Sequence, residues 1–259
     1  MSRIRLGCHL FGLAAILSGV TALVWRDLNA WKDVVPLGHV PHSQMFLYIA
    51  GAIELLGGIA IQWPATRRIG AVLLSIIYLI FTLLWIPEIV EGPLIFNNWG
   101  APFYKFSLFA GALIVYGAMN SNGYDDSQKP ARIGYVCFAI SLVPFTLEQI
   151  FYFANTVVLV PKWIPLGQSF WAVATTIAFA LAAVALLSRR SSLLASGLLT
   201  IMLLAFGLLI WVPAVASNPH RLFNWTEHNE NLAIAGAAWI VTDFLVHNRS
   251  QAFAPRRHG

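Results

Sequence analysis

The sequence predicts an all-α, polytopic membrane protein, with eight transmembrane helices arranged as two parallel four-helix repeats. Three observations predict it. Of 259 residues, 58% are hydrophobic and only 10% charged, where ordinary soluble domains carry about 25% charged residues. The stretches 69–87, 163–188 and 191–219 contain no Asp, Glu, Lys or Arg, and each reaches the roughly 18 residues that cross a bilayer as a helix. Third, a set of Pro, Gln, Asn, Trp and Gly positions recurs once along the chain at a nearly constant offset. A soluble globule could not cover this much apolar surface, and a disordered chain needs the opposite composition.

Spans are expected near 7–25, 44–62, 69–90, 103–119, 133–156, 168–187, 193–215 and 231–247. At about 20 residues each, they leave loops and short tails with no room for a soluble catalytic domain. The first has a basic start, and Val20-Thr21-Ala22 resembles a weak signal-peptidase site. It is read as an uncleaved anchor helix, because it opens a repeat whose second copy begins in mid-chain.

The repeat rests on ordered matches. Pro41-x-x-Gln44-x-Phe46 returns as Pro165-x-x-Gln168-x-Phe170, and Phe81, Trp85 and Pro87 return as Phe206, Trp211 and Pro213. Pro93, Asn98 and Trp99 return as Pro219, Asn224 and Trp225, and Ala110-Gly111-Ala112 as Ala235-Gly236-Ala237. Repeat A then covers 1–119, a cytoplasmic linker 120–132, and repeat B with a short cytoplasmic tail 133–259. Four spans return the chain to its starting side, so the halves share one orientation, as in parallel transporter-type repeats.

The pI of about 9.5 comes from topology and implies no nucleic acid. With a cytoplasmic N-terminus, Arg3, Arg5, Arg67, Arg68, Lys129, Arg132, Arg189, Arg190, Arg249, Arg256 and Arg257 lie inside. Arg26, Lys32, Lys105, Lys162 and Arg221 lie outside, giving eleven against five, the bias of the positive-inside rule. Both termini are therefore expected in the cytoplasm, with Trp25, Trp85, Trp99, Trp163, Trp211 and Trp225 among an outer aromatic belt.

Four residues are candidates for ligand binding or proton relay. Glu54 lies about ten residues, roughly 15 Å, into the second span. A mid-membrane charge faces protein or water, and Gly51 and Gly58 on the same face let a neighbouring helix approach. The bland alternative is a carboxyl group hydrogen-bonded to another helix as structural glue. Glu148, about 12 Å deep in the fifth span, brings one acid from the other half. Gln44 and Gln168 open the second and sixth spans at equivalent positions. Lys105, the nearest base to Glu54, is expected near the outer surface and too far away to pair directly. Asp243 is close enough to its span end to snorkel.

His39, His42, His220 and His228, with Glu88, Glu91, Glu227 and Glu230, share the outer loops. Pro41 interrupts His39-x-x-His42, no motif with a mechanism is matched, and no metal site is expected. Cys8 and Cys137 lie towards the reducing side without a Cys-x-x-Cys. Catalytic residues and cofactors stay unassigned.

Ala50-Gly51-x-x-Glu54-Leu-x-Gly57-Gly58, followed by Trp63-Pro64-x-x-Arg67-Arg68-x-Gly70-Ala71, resembles the second-to-third-span signature of DoxX-like membrane proteins. The second half resembles it more weakly, through Pro161-Lys-Trp163-x-Pro165 and Val212-Pro213. Two positions depart from it. Ala178 stands where the second copy would match Glu54, and Ile86 and Val212 stand where the family often has His. The resemblance implies a bacterial cytoplasmic membrane and the family's links to quinone-coupled sulfur oxidation and to auxiliary roles beside redox enzymes. The expected function is a binding or auxiliary subunit for a small lipophilic molecule, such as a quinone. The alternatives are a quinone-linked oxidoreductase component and a transporter using the inter-repeat seam. Expected partners are the lipid bilayer, that ligand and a membrane protein.

Overall fold

The computed structural model describes residues 6–25, 31, 34–119 and 128–252. Every regular element among them is helical. In chain order these are α1 (Leu6–Val24), α2 (Ser43–Ala60), α3 (Arg67–Leu83), α4 (Ile86–Glu91), α5 (Phe96–Gly100) and α6 (Pro102–Met119). There follow α7 (Lys129–Phe151), α8 (Phe153–Leu159), α9 (Gln168–Leu187), α10 (Ser192–Phe206), a π-helical turn (Gly207–Trp211), α11 (Val212–Ser217) and α12 (Leu222–Ala252).

Seven helices among the described residues are long and apolar enough to cross a membrane: α1, α2, α3 continuing into α4, α5 into α6, α7, α9, and α10 into α11. They indicate a multi-pass membrane protein, and large apolar side chains such as Ile49, Leu56, Ile76, Leu181 and Ile201 face outward to meet lipid. The expected eighth span falls in α12. This helix is the longest, at 31 residues, so composition and not length separates it from the seven. The reason is its position. Ala233, Ala235, Ala237, Ala238, Ile240 and Val241 are buried against other helices, so α12 can carry small and polar residues that a lipid-facing helix could not.

The helices pack as a closed circuit in which each touches the next: α1, α2, α3, α6, α7, α9, α10, α12 and back to α1, with α6 and α12 also in contact across the middle. Glycines set the tightest crossings. A Cβ on Gly58 would lie 2.7 Å from the Gly12 carbonyl oxygen, and one on Gly19 2.5 Å from that of Gly51. The Gly51/Gly58 face of α2 is therefore pressed on α1, where small residues allow backbone contact.

Two boundaries differ from expectation. Residues 129–132, read as the end of the linker, already belong to α7. Pro130 sits in its first turn, where a missing N–H costs nothing; residues 120–127 of the linker lie outside the described residues. The fifth span also ends early, because the chain breaks at Tyr152 and resumes as α8.

Candidate functional site

A cavity of about 30 Å³ opens at the end of the bundle where α1 finishes and α6 and α12 begin. That volume holds one or two water-sized groups. Ser18 and Thr21 of α1, Glu54 of α2, Lys105 of α6, and Asn229 and Glu230 of α12 supply its polar wall, and Trp31, Val34 and Val35 help to roof it.

Glu54 is 7% exposed and lies beside the Tyr78 hydroxyl of α3. It is attracted by Lys105 and repelled by Glu230. Lys105 is itself buried, with Nζ 3.1 Å from Glu230 Oε2. The sequence places Lys105 at the outer start of the fourth span, too far from Glu54 to pair directly, and Glu230 with the outer loops. Both lie inside the bundle on the same cavity as Glu54, because α6 and α12 touch and Lys105 and Glu230 pair across that contact. A signal was available. Lys105 and Glu230 stand 125 residues apart, the offset that relates Ala110-Gly111-Ala112 to Ala235-Gly236-Ala237.

Asn229 is 1% exposed and donates through Nδ2 to Thr21 Oγ1 at 3.0 Å. The Thr21 hydroxyl donates to the Leu17 carbonyl at 2.7 Å. Glu148 does not line the cavity. Its Oε2 accepts from the Tyr104 hydroxyl at 2.6 Å, the neighbour of Lys105, and Tyr104 stacks on Phe145 with ring centroids 4.9 Å apart. Glu148 thus belongs to a second polar pair beside the first.

Gln44 and Gln168 are not brought to the cavity. Gln44 is exposed and reaches only Tyr48, at 3.4 Å. Gln168 Nε2 donates to the Val160 carbonyl at 2.5 Å, tying the end of α8 to the start of α9. Their matched positions coincide with matched helix starts, and neither lines the cavity. At the far end of the bundle, Asp243 of α12 lies beside the Gly7 backbone of α1. There Arg67, counted as a loop charge, is buried and donates from Nε to the Ile61 carbonyl at 3.1 Å, closing the end of α2. His39 pairs with Glu91 at 3.2 Å. Among the described residues no three His, Cys, Asp or Glu side chains are grouped to hold a metal ion.

Beyond the cavity the seam is closed. Phe11 is fully buried, and a Cβ on Gly236 would lie 2.7 Å from its backbone N and Cα. A Cβ on Gly111 would come 2.9 Å from that of Ala237.

Comparison with known proteins returns no matching family model, no matching curated protein and no matching solved structure.

Proposed function

We propose that this chain is a membrane-embedded binding protein of DoxX-like type, whose site is the charged cavity between α1, α2, α6 and α12. The observation that carries this reading is the cavity wall itself: two carboxylates and one ammonium held inside a helix bundle. Buried charge is expensive in a membrane and is kept where it does work. The closed packing at Phe11 and Gly236 favours binding from one end over passage through the seam. A lipophilic ligand would place only a polar tip here, because about 30 Å³ admits a water-sized group and not a quinone ring. Its apolar body would lie in the bilayer.

The proposal includes eight spans in two parallel four-helix repeats, with α12 as the eighth. Several paired features support it. The circuit of helix contacts keeps its pattern when the first four long helices are exchanged for the last four. Asn98 Nδ2 donates to the Glu88 and Gly92 carbonyls at 2.7 and 3.1 Å, and Asn224 to those of Ala214 and Asn218 at 2.7 and 3.3 Å. Trp99 and Trp225 each donate to a proline carbonyl six residues back, at 2.8 Å. Gly7 abuts Ile240 as Gly134 abuts Ile114. The polar groups follow the same relation. Tyr104–Glu148 corresponds to Asn229–Thr21, and the Lys105–Glu230 pair joins corresponding positions across the proposed axis.

The orientation proposed is both termini in the cytoplasm of a bacterium. Reporter fusions after Met119 and at the C-terminus are expected to signal cytoplasm together; a periplasmic signal from either would overturn the eight-span arrangement.

Glu54→Gln tests the binding role. Gln keeps the shape and the hydrogen-bonding capacity of the side chain but removes the charge. The variant is expected to fold at wild-type yield and to lose the small molecule that mass spectrometry detects in extracts of the purified wild type. Identical extracts from both proteins would reduce Glu54 to structural glue and end the binding reading.

A further inference from the structure

We infer that the cavity takes the ammonium group of a primary amine. This rests on the binding reading above and names the chemistry of its ligand.

The first argument concerns which hydrogen-bonding groups are left over. Thr21 spends its hydroxyl hydrogen on the Leu17 carbonyl, so towards Asn229 it can only accept. That fixes Asn229 with Nδ2 on Thr21 and turns Oδ1 away, where it is buried with no partner. Glu230 gives Oε2 to Lys105 and leaves Oε1 buried with no partner. With Glu54, the residues that line the cavity therefore include three that carry acceptors, two of them with an oxygen left unpaired. A neutral hydroxyl ligand offers one hydrogen, whereas an ammonium offers three. A quinone carbonyl offers none.

The second argument is charge. Among the described residues Lys105 is the one cation lining the cavity, and two carboxylates, Glu54 and Glu230, line it too. Lys105 balances one acid, and the second is left for a proton or a bound cation, since an uncompensated buried carboxylate is strongly disfavoured. The third argument is size: the volume of about 30 Å³ suits a group as compact as –NH₃⁺. A trimethylated nitrogen is too bulky and has no N–H to give.

Two sources share this chemistry, a free small amine and the headgroup of an aminolipid such as phosphatidylethanolamine. The test uses the full chain in nanodiscs and measures its thermal midpoint at constant ionic strength. In phosphatidylcholine discs, methylammonium chloride is expected to raise the midpoint saturably, while tetramethylammonium and sodium chloride do not. Asn229→Ala keeps the Lys105–Glu230 pair intact and is expected to weaken the methylammonium response about tenfold, the loss of one hydrogen bond to a charged donor. In phosphatidylethanolamine discs, an abolished response assigns the site to the lipid headgroup, and a retained response assigns it to the free amine. An equal response to tetramethylammonium or sodium, or none to methylammonium, overturns the inference. In that event the extracts compared for Glu54→Gln decide separately whether the cavity binds anything.

Discussion

Lys105→Met is expected to destabilise the folded protein by about 3–5 kcal/mol, the cost of removing one partner of a buried ion pair. Glu230 would keep its charge without the ammonium 3.1 Å away, and Glu54 would lose the attraction that offsets its repulsion from Glu230. Met fills nearly the same volume, so packing contributes little to the loss. The cavity admits water to the pair, which places the effect towards the lower end of that range. Glu230→Gln should cost less, because the remaining Lys105 still has Glu54 as a neighbour on the same wall. The combined variant Lys105→Met/Glu230→Gln should recover most of the stability lost in Lys105→Met. Equilibrium unfolding of the four proteins in mixed detergent checks this as a double-mutant cycle. If the two single losses simply add, the pair does not couple and its place in the site is wrong.

The two carboxylates met different fates in the sequence for a physical reason. Glu54 stood out because it interrupts an apolar run at mid-depth, and Gly51 and Gly58 mark its face as a close contact. Its burial against α1 follows from those neighbours. Lys105 and Glu230 lie near the starts of their helices, where a charge reads as a loop or topology marker. Only the contact between α6 and α12 draws them inward, and no local pattern encodes that contact. Arg67 was misread in the same way, since it caps α2 with its guanidinium and is not a solvated loop charge. Gln44 and Gln168 stand at matched helix starts, and Gln168 bonds the Val160 carbonyl there.

The same logic explains the helix count. Apolar runs identify helices that face lipid, so the seven spans were readable from hydropathy. α12 touches α1, α6 and α10. It needs little greasy surface of its own, and an alanine-rich stretch with Asn229, Glu230 and Asp243 suffices. A helix surrounded by helices is the hardest to recognise by hydropathy and the most informative about the site.

Gly236→Val is expected to have the second-largest effect, about 3 kcal/mol of destabilisation at the upper end of overpacking costs. Gly236 lies where α12 crosses α1, and a Cβ there would sit 2.7 Å from the N and Cα of Phe11 and 2.9 Å from its Cβ. These are largely backbone atoms of a fully buried residue, so no rotamer change can relieve the clash and the two helices must separate. Separation would reach the cavity, because Thr21 of α1 and Asn229 of α12 are bonded across the same interface. Gly236→Val should therefore also abolish any ligand response at the cavity, although residue 236 does not line it. Gly197 in α10 is the matched control, since nothing lies within 4 Å of where its Cβ would be. Gly197→Ala should be neutral or stabilising by up to about 1 kcal/mol, the ordinary helix-propensity gain. Thermal midpoints of the two variants should move in opposite directions or differ by several degrees; equal shifts would mean that α1 and α12 do not cross at Gly236.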